Sequence, residues 1–218
     1  MADAKIAVLI SGRGSNLKSL ISAAAAPDYP AEIALVISNR PKAPGLEHAT
    51  KASIPQTIID HNDFQTREDF DAALDEVLRM AKIDYVCLAG FMRMLSPKFV
   101  DDWRGKLINI HPSLLPAFRG LHVQERMLDA GVKIAGCTVH FVSPEMDAGP
   151  IIGQAAAPVL PSDTEETLSA RILELEHKLY PECLKLIVGG KARISGAVVA
   201  YDSSVTVTGS LINPPATD

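Results

Sequence analysis

The stretch Ile6-Ala7-Val8-Leu9-Ile10-Ser11-Gly12-Arg13-Gly14-Ser15-Asn16-Leu17 joins a short apolar run to a glycine-rich turn. A continuous apolar run of this length is typical of a strand that is covered on both faces, as in a parallel sheet. An alanine-rich segment follows, from about Leu17 to Ala26, and predicts a helix. Strand, glycine turn and helix in this order direct free backbone N–H groups and the positive end of the helix dipole toward an anion.

The glycine turn does not match the longer nucleotide-binding fingerprints. The last position of a GxGxxG motif is occupied by Leu17, and no Gly-Lys-Ser/Thr follows. A single phosphate is therefore the better candidate ligand, with Gly14 allowing close approach and with Ser15 and Asn16 as donors. A turn that only begins the helix and binds nothing is an equally open interpretation at this point.

Apolar runs and helical patterns alternate along the rest of the chain. Strands are predicted at 32–37, 56–59, 85–88, 107–111, 136–142 and 151–159, and helices at 44–51, 66–82, 123–130 and 164–188. Ser162 and Glu165 have the spacing of a capping box at the start of the last helix. This alternation predicts an α/β fold, with an open, mostly parallel sheet and helices on both faces, whose ligands bind at the carboxyl ends of the strands.

The C-terminal part of the chain predicts a small β extension. Ile194–Tyr201 and Val205–Ile212 have the composition of the two strands of a hairpin, and Asn213–Asp218 that of a frayed tail. We expect residues 1–190 to form one domain and residues 191–218 to form a C-terminal β-hairpin extension and tail of the same domain.

The run from Leu107 to Pro116, LINIHPSLLP, contains the strongest candidates for chemistry. Asn109 and His111 are two residues apart, so their side chains point to the same side of a strand that Pro112 terminates. An amide donor beside an imidazole suits a reaction that forms and protonates an oxyanion. The structural alternative is that His111 caps a turn while Asn109 bonds to the backbone of a loop.

The segment Ala89–Leu95 is unusually apolar for a loop. Its methionines, phenylalanine and leucine are typical of a pocket wall for a flat apolar ring, although plain core packing is a competing interpretation. Arg67 shares the apolar side of the predicted helix at 66–82. Packing of its stem is the first interpretation, and a guanidinium that reaches an anionic ligand is the alternative.

Composition and charge limit the classes of partner. The net charge of -5 argues against nucleic acid as the main partner, because such proteins usually carry a basic surface. No run of eighteen apolar residues and no signal-peptide pattern is present, so we expect a cytoplasmic protein that does not bind membranes. The three cysteines are far apart and lie in apolar surroundings, which favours buried thiols over disulfides. No compact spacing of histidines and cysteines predicts a metal site.

Several of these motifs together resemble the phosphoribosylglycinamide formyltransferases. The matching segments are Ser11–Leu17, Ala89–Arg93, Asn109–Pro116 and Met146–Ile151, in this order between about Lys5 and Val188. The last three are shared with other enzymes that use 10-formyltetrahydrofolate, whereas the Gly-Ser-Asn loop is specific to this family. The resemblance implies a Rossmann-like sheet and the transfer of a formyl group from 10-formyltetrahydrofolate to glycinamide ribonucleotide in purine biosynthesis.

The resemblance also implies a role for each matching position. The substrate-binding residues are Gly14, Ser15 and Asn16 for the phosphate and Glu176 for the ribose. The catalytic residues are Asn109, His111 and Asp147. The folate-contacting residues are Arg67, Met92, Arg93, Met94, Leu95, Asn109, Ser143, Pro144, Glu145, Met146 and Asp147. Two places depart from the family pattern. Leu173 occupies a position where relatives have a polar or basic substrate contact, and Phe118-Arg119 lies in a loop that varies among relatives.

The implied mechanism needs alignment and charge stabilisation but no covalent nucleophile. Asn109 would donate to the developing oxyanion. His111, as an imidazolium, would stabilise the same charge and protonate the departing folate nitrogen, while Asp147 would orient it. The expected partners are small-molecule substrates, with 10-formyltetrahydrofolate as co-substrate and no metal, in a monomer or homodimer.

Three alternatives remain open from the sequence. A methionyl-tRNA formyltransferase-like enzyme is expected to need a further basic domain after the shared motifs. A formyltetrahydrofolate deformylase-like hydrolase is expected to have a regulatory domain before the first strand. A non-catalytic folate- or nucleotide-binding module would bind both ligands without forming product.

Overall fold

The central feature of the fold is a seven-stranded sheet, seen in a computed structural model that describes residues 4–205. The strands are β1 (Ala4–Ile10), β2 (Ala31–Ser38), β3 (Gln56–Ile58), β4 (Tyr85–Leu88), β5 (Leu107–His111), β6 (Ile134–Phe141) and β7 (Ile151–Pro158). Their order is β3-β2-β1-β4-β5-β6-β7. The pairs β1–β2, β1–β4, β2–β3 and β4–β5 are parallel, and β6–β7 is antiparallel. The prediction of a Rossmann-like, mostly parallel sheet is confirmed.

Six α-helices accompany the sheet within the described residues. They are α1 (Ser15–Ala24), α2 (Leu46–Lys51), α3 (Arg67–Met80), α4 (Pro97–Asp102), α5 (Val123–Asp129) and α6 (Glu165–Val188). Of these, only α4 was not predicted from the sequence. It begins because the Ser96 side chain accepts a hydrogen bond from the Phe99 N–H and because Pro97 takes the first helical position. No helix within residues 4–205 is long and apolar enough to cross a membrane.

The chain divides into two compact units. The first runs to Asn109 and includes Phe141–Pro144, and the second comprises Ile110–His140 and the chain from Glu145 onward. The division therefore falls within β5, between the two candidate residues Asn109 and His111. The expected single domain over residues 1–190 stays a prediction.

Each unit has its own hydrophobic core. In the first, Phe70, Leu74 and Leu78 of α3 are fully buried in a cluster with apolar residues of β1, β2 and β4. In the second, Leu168 and Ile172 of α6 are buried against residues of α5 and β6. Burial of a leucine or phenylalanine side chain contributes about 1.5–3 kcal/mol, so the apolar stripes of α3 and α6 supply much of the stability that positions the strand ends.

The predicted capping box of α6 is wrong. The structure forms it between Thr164 and Thr167, each side chain bonding to the backbone of the other, rather than between Ser162 and Glu165. The chain before Thr164 is held in a turn by Asp163, whose carboxylate accepts the Leu160 N–H at 2.7 Å. This turn delays the helix start, so that Glu165 is the first helical residue.

The predicted C-terminal hairpin is confirmed, but its strands have different limits. They are β8 (Ala192–Ser195) and β9 (Val198–Tyr201), paired antiparallel. Gly196 has φ 64°, which a glycine adopts without strain, and this turn folds the segment predicted as one strand, Ile194–Tyr201, back on itself. The predicted strand Val205–Ile212 lies outside the described residues from position 206 onward.

Candidate active site

The glycine loop after β1 presents the beginning of α1. Gly14 is the N-cap residue, with φ 71° and ψ 30°, and it has no side chain that could cap the first N–H groups of the helix. A Cβ on Gly14 would lie 2.8 Å from the Gly45 Cα, so the loop packs directly on a second glycine turn. The Gly45 N–H donates to the Gly12 carbonyl at 2.9 Å and fixes this arrangement. The predicted residues Gly14, Ser15 and Asn16 thus stand at a helix start that suits a phosphate.

Ser11 links the glycine loop to the methionine loop, Met92–Leu95. The Ser11 N–H donates to the Gly90 carbonyl at 3.2 Å, and the Met92 N–H donates to Ser11 Oγ at 2.7 Å. Since β1 and β4 are adjacent parallel strands, the two loops leave the same edge of the sheet. Asn109 lies beside them, paired with Leu88 of β4.

The methionine loop has one exposed side and one buried side. The side chains of Met92 and Met94 are 63% and 47% exposed, whereas Leu95 is buried in the core of the first unit. The Arg93 guanidinium carbon lies 4.5 Å from the centre of the Phe70 ring. Part of the segment therefore packs in the core and part leaves apolar surface exposed, and its role in binding a flat ring stays a prediction.

Arg67 is exposed at the start of α3, and a buried carboxyl group, Asp71, lies one turn later. Burial raises the pKa of Asp71, while bonds from Ser96 and the positive charges of Arg93 and Arg67 oppose this shift. Asp71 Oδ2 accepts the Ser96 N–H at 2.6 Å and so holds the far end of the methionine loop.

In the second unit, His111 and Asp147 form a buried pair. The Nδ1 atom of His111 lies 3.5 Å from Asp147 Oδ2, and the two side chains are 7% and 11% exposed. The Nε2 atom lies 2.9 Å from the Phe118 carbonyl oxygen. A carbonyl oxygen can only accept, so Nε2 carries a hydrogen in this arrangement. The Nδ1 atom faces the Asp147 carboxylate, so an acceptor stands at each ring nitrogen and the ring orientation is fixed.

Asp147 is fixed by its own surroundings. It has φ 51°, a left-handed conformation that aspartate tolerates better than most residues, and its Oδ2 accepts the Gly120 N–H at 2.9 Å. The second carboxylate oxygen lies 3.9 Å from Nε2 of the buried His140. The carboxylate is therefore oriented before any ligand binds.

The remaining predicted residues are distributed over both units. Ser143 and Pro144 belong to the first unit, and Glu145, Met146 and Asp147 to the second. Glu145 forms a 2.6 Å ion pair with Arg119, and Met146 is 51% exposed.

Glu176 is buried on α6, with 7% of its surface exposed. It lies near the Cys137 thiol, because its charge adds to the effect of burial in raising the pKa of Cys137 to about 12. Leu173, three residues earlier on α6, is partly exposed and offers only apolar surface.

Three groups at the His111–Asp147 pair were missed by sequence reasoning as parts of a site. The Phe118 carbonyl and the Gly120 N–H are main-chain groups, so the identity of the residue does not indicate their role. His140 could have been suspected, because it is a polar residue within the apolar run of β6. Within residues 4–205, no group of three or more histidine, cysteine or acidic side chains could hold a metal ion.

Sequence comparisons place residues 4–184 within the profile of a family described as formyl transferase. The chain is 42% identical to the phosphoribosylglycinamide formyltransferase of Haemophilus influenzae over 198 residues, which is 91% of this chain and 93% of that protein. It is also 53% identical to a trifunctional purine biosynthetic protein, adenosine-3, of Drosophila melanogaster over 196 residues, or 89% of this chain. The chain spans only 14% of the length of that protein and 19% of its Bos taurus counterpart.

Solved structures give a consistent result. A glycinamide ribonucleotide transformylase from Symbiobacterium toebii superposes with a TM-score of 0.89 at 46% identity, covering 92% of this chain and 94% of that one. A phosphoribosylglycinamide formyltransferase from Anaplasma phagocytophilum has a TM-score of 0.87, also at 46% identity, and the match covers 94% of this chain and 97% of that one.

Proposed function

Because the chain belongs to the phosphoribosylglycinamide formyltransferase family, we propose that it transfers a formyl group from 10-formyltetrahydrofolate to the amine of glycinamide ribonucleotide, a step of purine biosynthesis. The amine nitrogen forms a bond to the formyl carbon, and the bond from that carbon to the folate nitrogen breaks. The amine loses one proton and the folate nitrogen gains one, so the reaction needs no oxidant or metal.

The first unit offers groups for both substrates. Gly14, Ser15 and Asn16 bind the phosphate of the ribonucleotide at the start of α1, where the helix dipole favours an anion. Met92, Arg93, Met94 and Leu95 bind the flat ring of the folate, and the exposed methionine side chains supply adaptable apolar contact. Arg67, exposed at the start of α3, pairs with the negatively charged tail of the folate.

Further contacts come from residues after β5. Glu176 binds the ribose hydroxyls through its carboxylate. The segment Ser143–Asp147 contributes to the folate site, where Met146 adds exposed apolar surface. Leu173 is apolar and makes no polar contact to the substrate, so the phosphate and ribose contacts supply the polar recognition.

The chemical roles fall to three side chains. Asn109 donates a hydrogen bond to the oxygen that becomes negative as the amine attacks. His111, as an imidazolium, stabilises this charge and supplies the proton for the departing folate nitrogen. Asp147 balances the charge of the imidazolium and holds the orientation of the ring.

The buried contact between His111 and Asp147 carries the proposal. An imidazole whose Nε2 hydrogen is directed by one acceptor and whose Nδ1 faces a buried carboxylate is a preorganised donor, and a preorganised donor in a poorly hydrated site is what an oxyanion intermediate requires. A residue that only capped a turn would not need a buried carboxylate at its second nitrogen.

An absorbance assay of tetrahydrofolate formation tests the proposal, with glycinamide ribonucleotide, methionyl-tRNA or water as the alternative acceptor. We expect rapid product formation only with glycinamide ribonucleotide. Preferential formylation of methionyl-tRNA, or release of formate without an acceptor, would assign the chain to one of the other folate-dependent activities. Binding of both ligands without product would identify a non-catalytic module.

Substitution of the three proposed catalytic residues tests their roles in the reaction. We expect Asn109→Ala, His111→Ala and Asp147→Asn each to lower kcat by about 10²–10³-fold, the usual effect of removing one transition-state donor. Asp129→Asn is the matched control, because Asp129 is an exposed aspartate at the end of α5 and its substitution should leave kcat unchanged. Wild-type turnover in His111→Ala would contradict the assigned role.

A further inference from the structure

A chain of hydrogen bonds connects four loops of the first unit. The Ser11 hydroxyl donates to Asn39 Oδ1 at 2.6 Å and accepts the Met92 N–H at 2.7 Å. The Asn39 carbonyl lies 2.7 Å from Nδ1 of His61, in the turn that follows β3. Ser11 and Asn39 are 3% and 1% exposed, so water has little access to the bond between their side chains. Loops after β1, β2 and β4 are thus joined through a single serine oxygen.

The position of Ser11 differs from that of the phosphate-binding residues. It precedes Gly12 and directs its side chain at Met92 and Asn39, whereas the start of α1 is held separately by the packing of Gly14 on Gly45. Loss of the Ser11 hydroxyl would therefore release the methionine loop without removing the backbone donors at residues 14–16.

Among residues 4–205, the Met92 N–H at the near end of the loop has no acceptor other than Ser11 Oγ. At the far end, the Ser96 N–H is held independently by Asp71. Without the Ser11 hydroxyl, the partly buried Met92 N–H loses its acceptor, and the loop gains stability by moving until the N–H is fully hydrated. Folate binding then has to reverse that movement, so the effect falls on folate affinity.

We propose that Ser11 is a positioning residue for the folate: its hydroxyl, oriented by Asn39, holds the methionine loop in the conformation that binds the formyl donor. This inference rests on the proposed function, because it assigns the methionine loop to the folate. Ser11 does not contact the reacting atoms, and its substitution changes donor binding rather than the chemical step.

Steady-state kinetics with both substrates, together with calorimetric binding of tetrahydrofolate, tests this assignment. We expect Ser11→Ala to raise the donor KM and the tetrahydrofolate Kd about tenfold, with kcat and the acceptor KM changed by less than about threefold. Ser11→Thr, which keeps the hydroxyl, should restore most of the donor affinity. Ser38→Ala is the matched control, because Ser38 is fully buried and its hydroxyl bonds to the backbone of Arg40, so its loss should leave both KM values unchanged.

The outcomes separate this inference from the proposed function. If the wild type transfers formyl groups but Ser11→Ala keeps its donor KM within twofold, or if Ser38→Ala shows the same increase, the assignment of Ser11 is wrong. If the wild type uses another acceptor, the tetrahydrofolate Kd values still decide the role of Ser11. If the wild type does not bind tetrahydrofolate, both proposals fail. Should Ser11→Ala not fold, Asn39→Ala removes the acceptor that orients the Ser11 hydroxyl, together with a 3.5 Å contact from Nδ2 to His61, and should raise the same Kd by a smaller factor.

Discussion

At the scale of single residues, Gly14 has the narrowest tolerance in the candidate site. Its φ of 71° strains any other residue, and an added Cβ would lie 2.8 Å from the Gly45 backbone. We expect Gly14→Ala to lower the free energy of unfolding by about 2 kcal/mol and to raise the acceptor KM at least about tenfold. Urea unfolding and steady-state kinetics measure the two effects.

Gly12 provides the comparison within the same loop. A Cβ on Gly12 would meet no atom within 4 Å, so Gly12→Ala should keep the stability of the wild type. Equal destabilisation by the two substitutions would show that the packing of Gly14 on Gly45 does not matter.

The side chains of the candidate site could be predicted in part from the sequence, whereas its main-chain groups could not. Asn109 and His111 could be chosen from their spacing on one strand. Asp147 was chosen only through a family resemblance, because contact between residues 36 positions apart along the sequence leaves no local pattern. The Phe118 carbonyl and the Gly120 N–H depend on loop conformation, which side-chain identity alone does not determine.

At the scale of elements, the start of α6 depends on one carboxylate. Asp163 accepts hydrogen bonds from Arg171 at 2.6 and 2.8 Å and from Thr167 and the Leu160 N–H. The bonds from Arg171 are the main reason that the pKa of Asp163 is lowered far below its usual value. This carboxylate therefore stabilises α6 and the turn before it only while it is ionised.

The pH dependence of stability follows from that shift. Because the pKa is lower in the folded state, the stabilisation is complete above the unfolded-state value of about 4 and is lost as the pH falls toward the folded-state value. We expect Asp163→Asn to lower the free energy of unfolding by about 1–3 kcal/mol at pH 7, and the difference from wild type to shrink at pH 3. Urea unfolding at both pH values measures this.

An exposed ion pair serves as the control for Asp163. Asp101 pairs with Arg104 at 2.6 Å, but half of its side chain is exposed, so Asp101→Asn should have little effect at either pH. A difference between wild type and Asp163→Asn that stays constant from pH 7 to pH 3 would contradict the assigned role.

Element boundaries were harder to predict than element types. The capping box of α6 was misplaced because Ser, Asp and Thr follow one another at 162–164, and each is a good capping residue. The hydrogen bonds from Arg171 hold the Asp163 carboxylate in the turn, so Thr164 is the residue that caps the helix. The short α4 was missed because its core contacts, Phe99 and Val100, follow an apolar loop without a change of pattern.

At the scale of the whole molecule, the three cysteines report on global unfolding. Cys87, Cys137 and Cys183 are buried, and burial raises the pKa of Cys137 and of Cys183 to about 12. Because the thiolate is the reactive form, the thiols of the folded protein should not react with Ellman's reagent at pH 8. In guanidinium chloride, all three should react at once. Rapid labelling of the folded protein at any of the three positions would contradict this burial.

The sheet was the most predictable part of the molecule. Apolar runs separated by helical patterns specify parallel strands, since each strand must be covered on both faces. The strand order was not specified by these patterns, because it depends on which connections cross the sheet. The end of the chain was predicted less well, as Gly196 turns a single β-branched run into two strands.

The bond between His111 and the Phe118 carbonyl has a consequence for turnover. Under the proposed function, a formyl oxygen that bonds to Nε2 takes the place of the Phe118 carbonyl oxygen, which lies 2.9 Å from that nitrogen. The Nε2 hydrogen therefore exchanges one acceptor for another during turnover. The free protein thus resembles a latch, in which the main chain occupies the donor until a correctly placed substrate opens it.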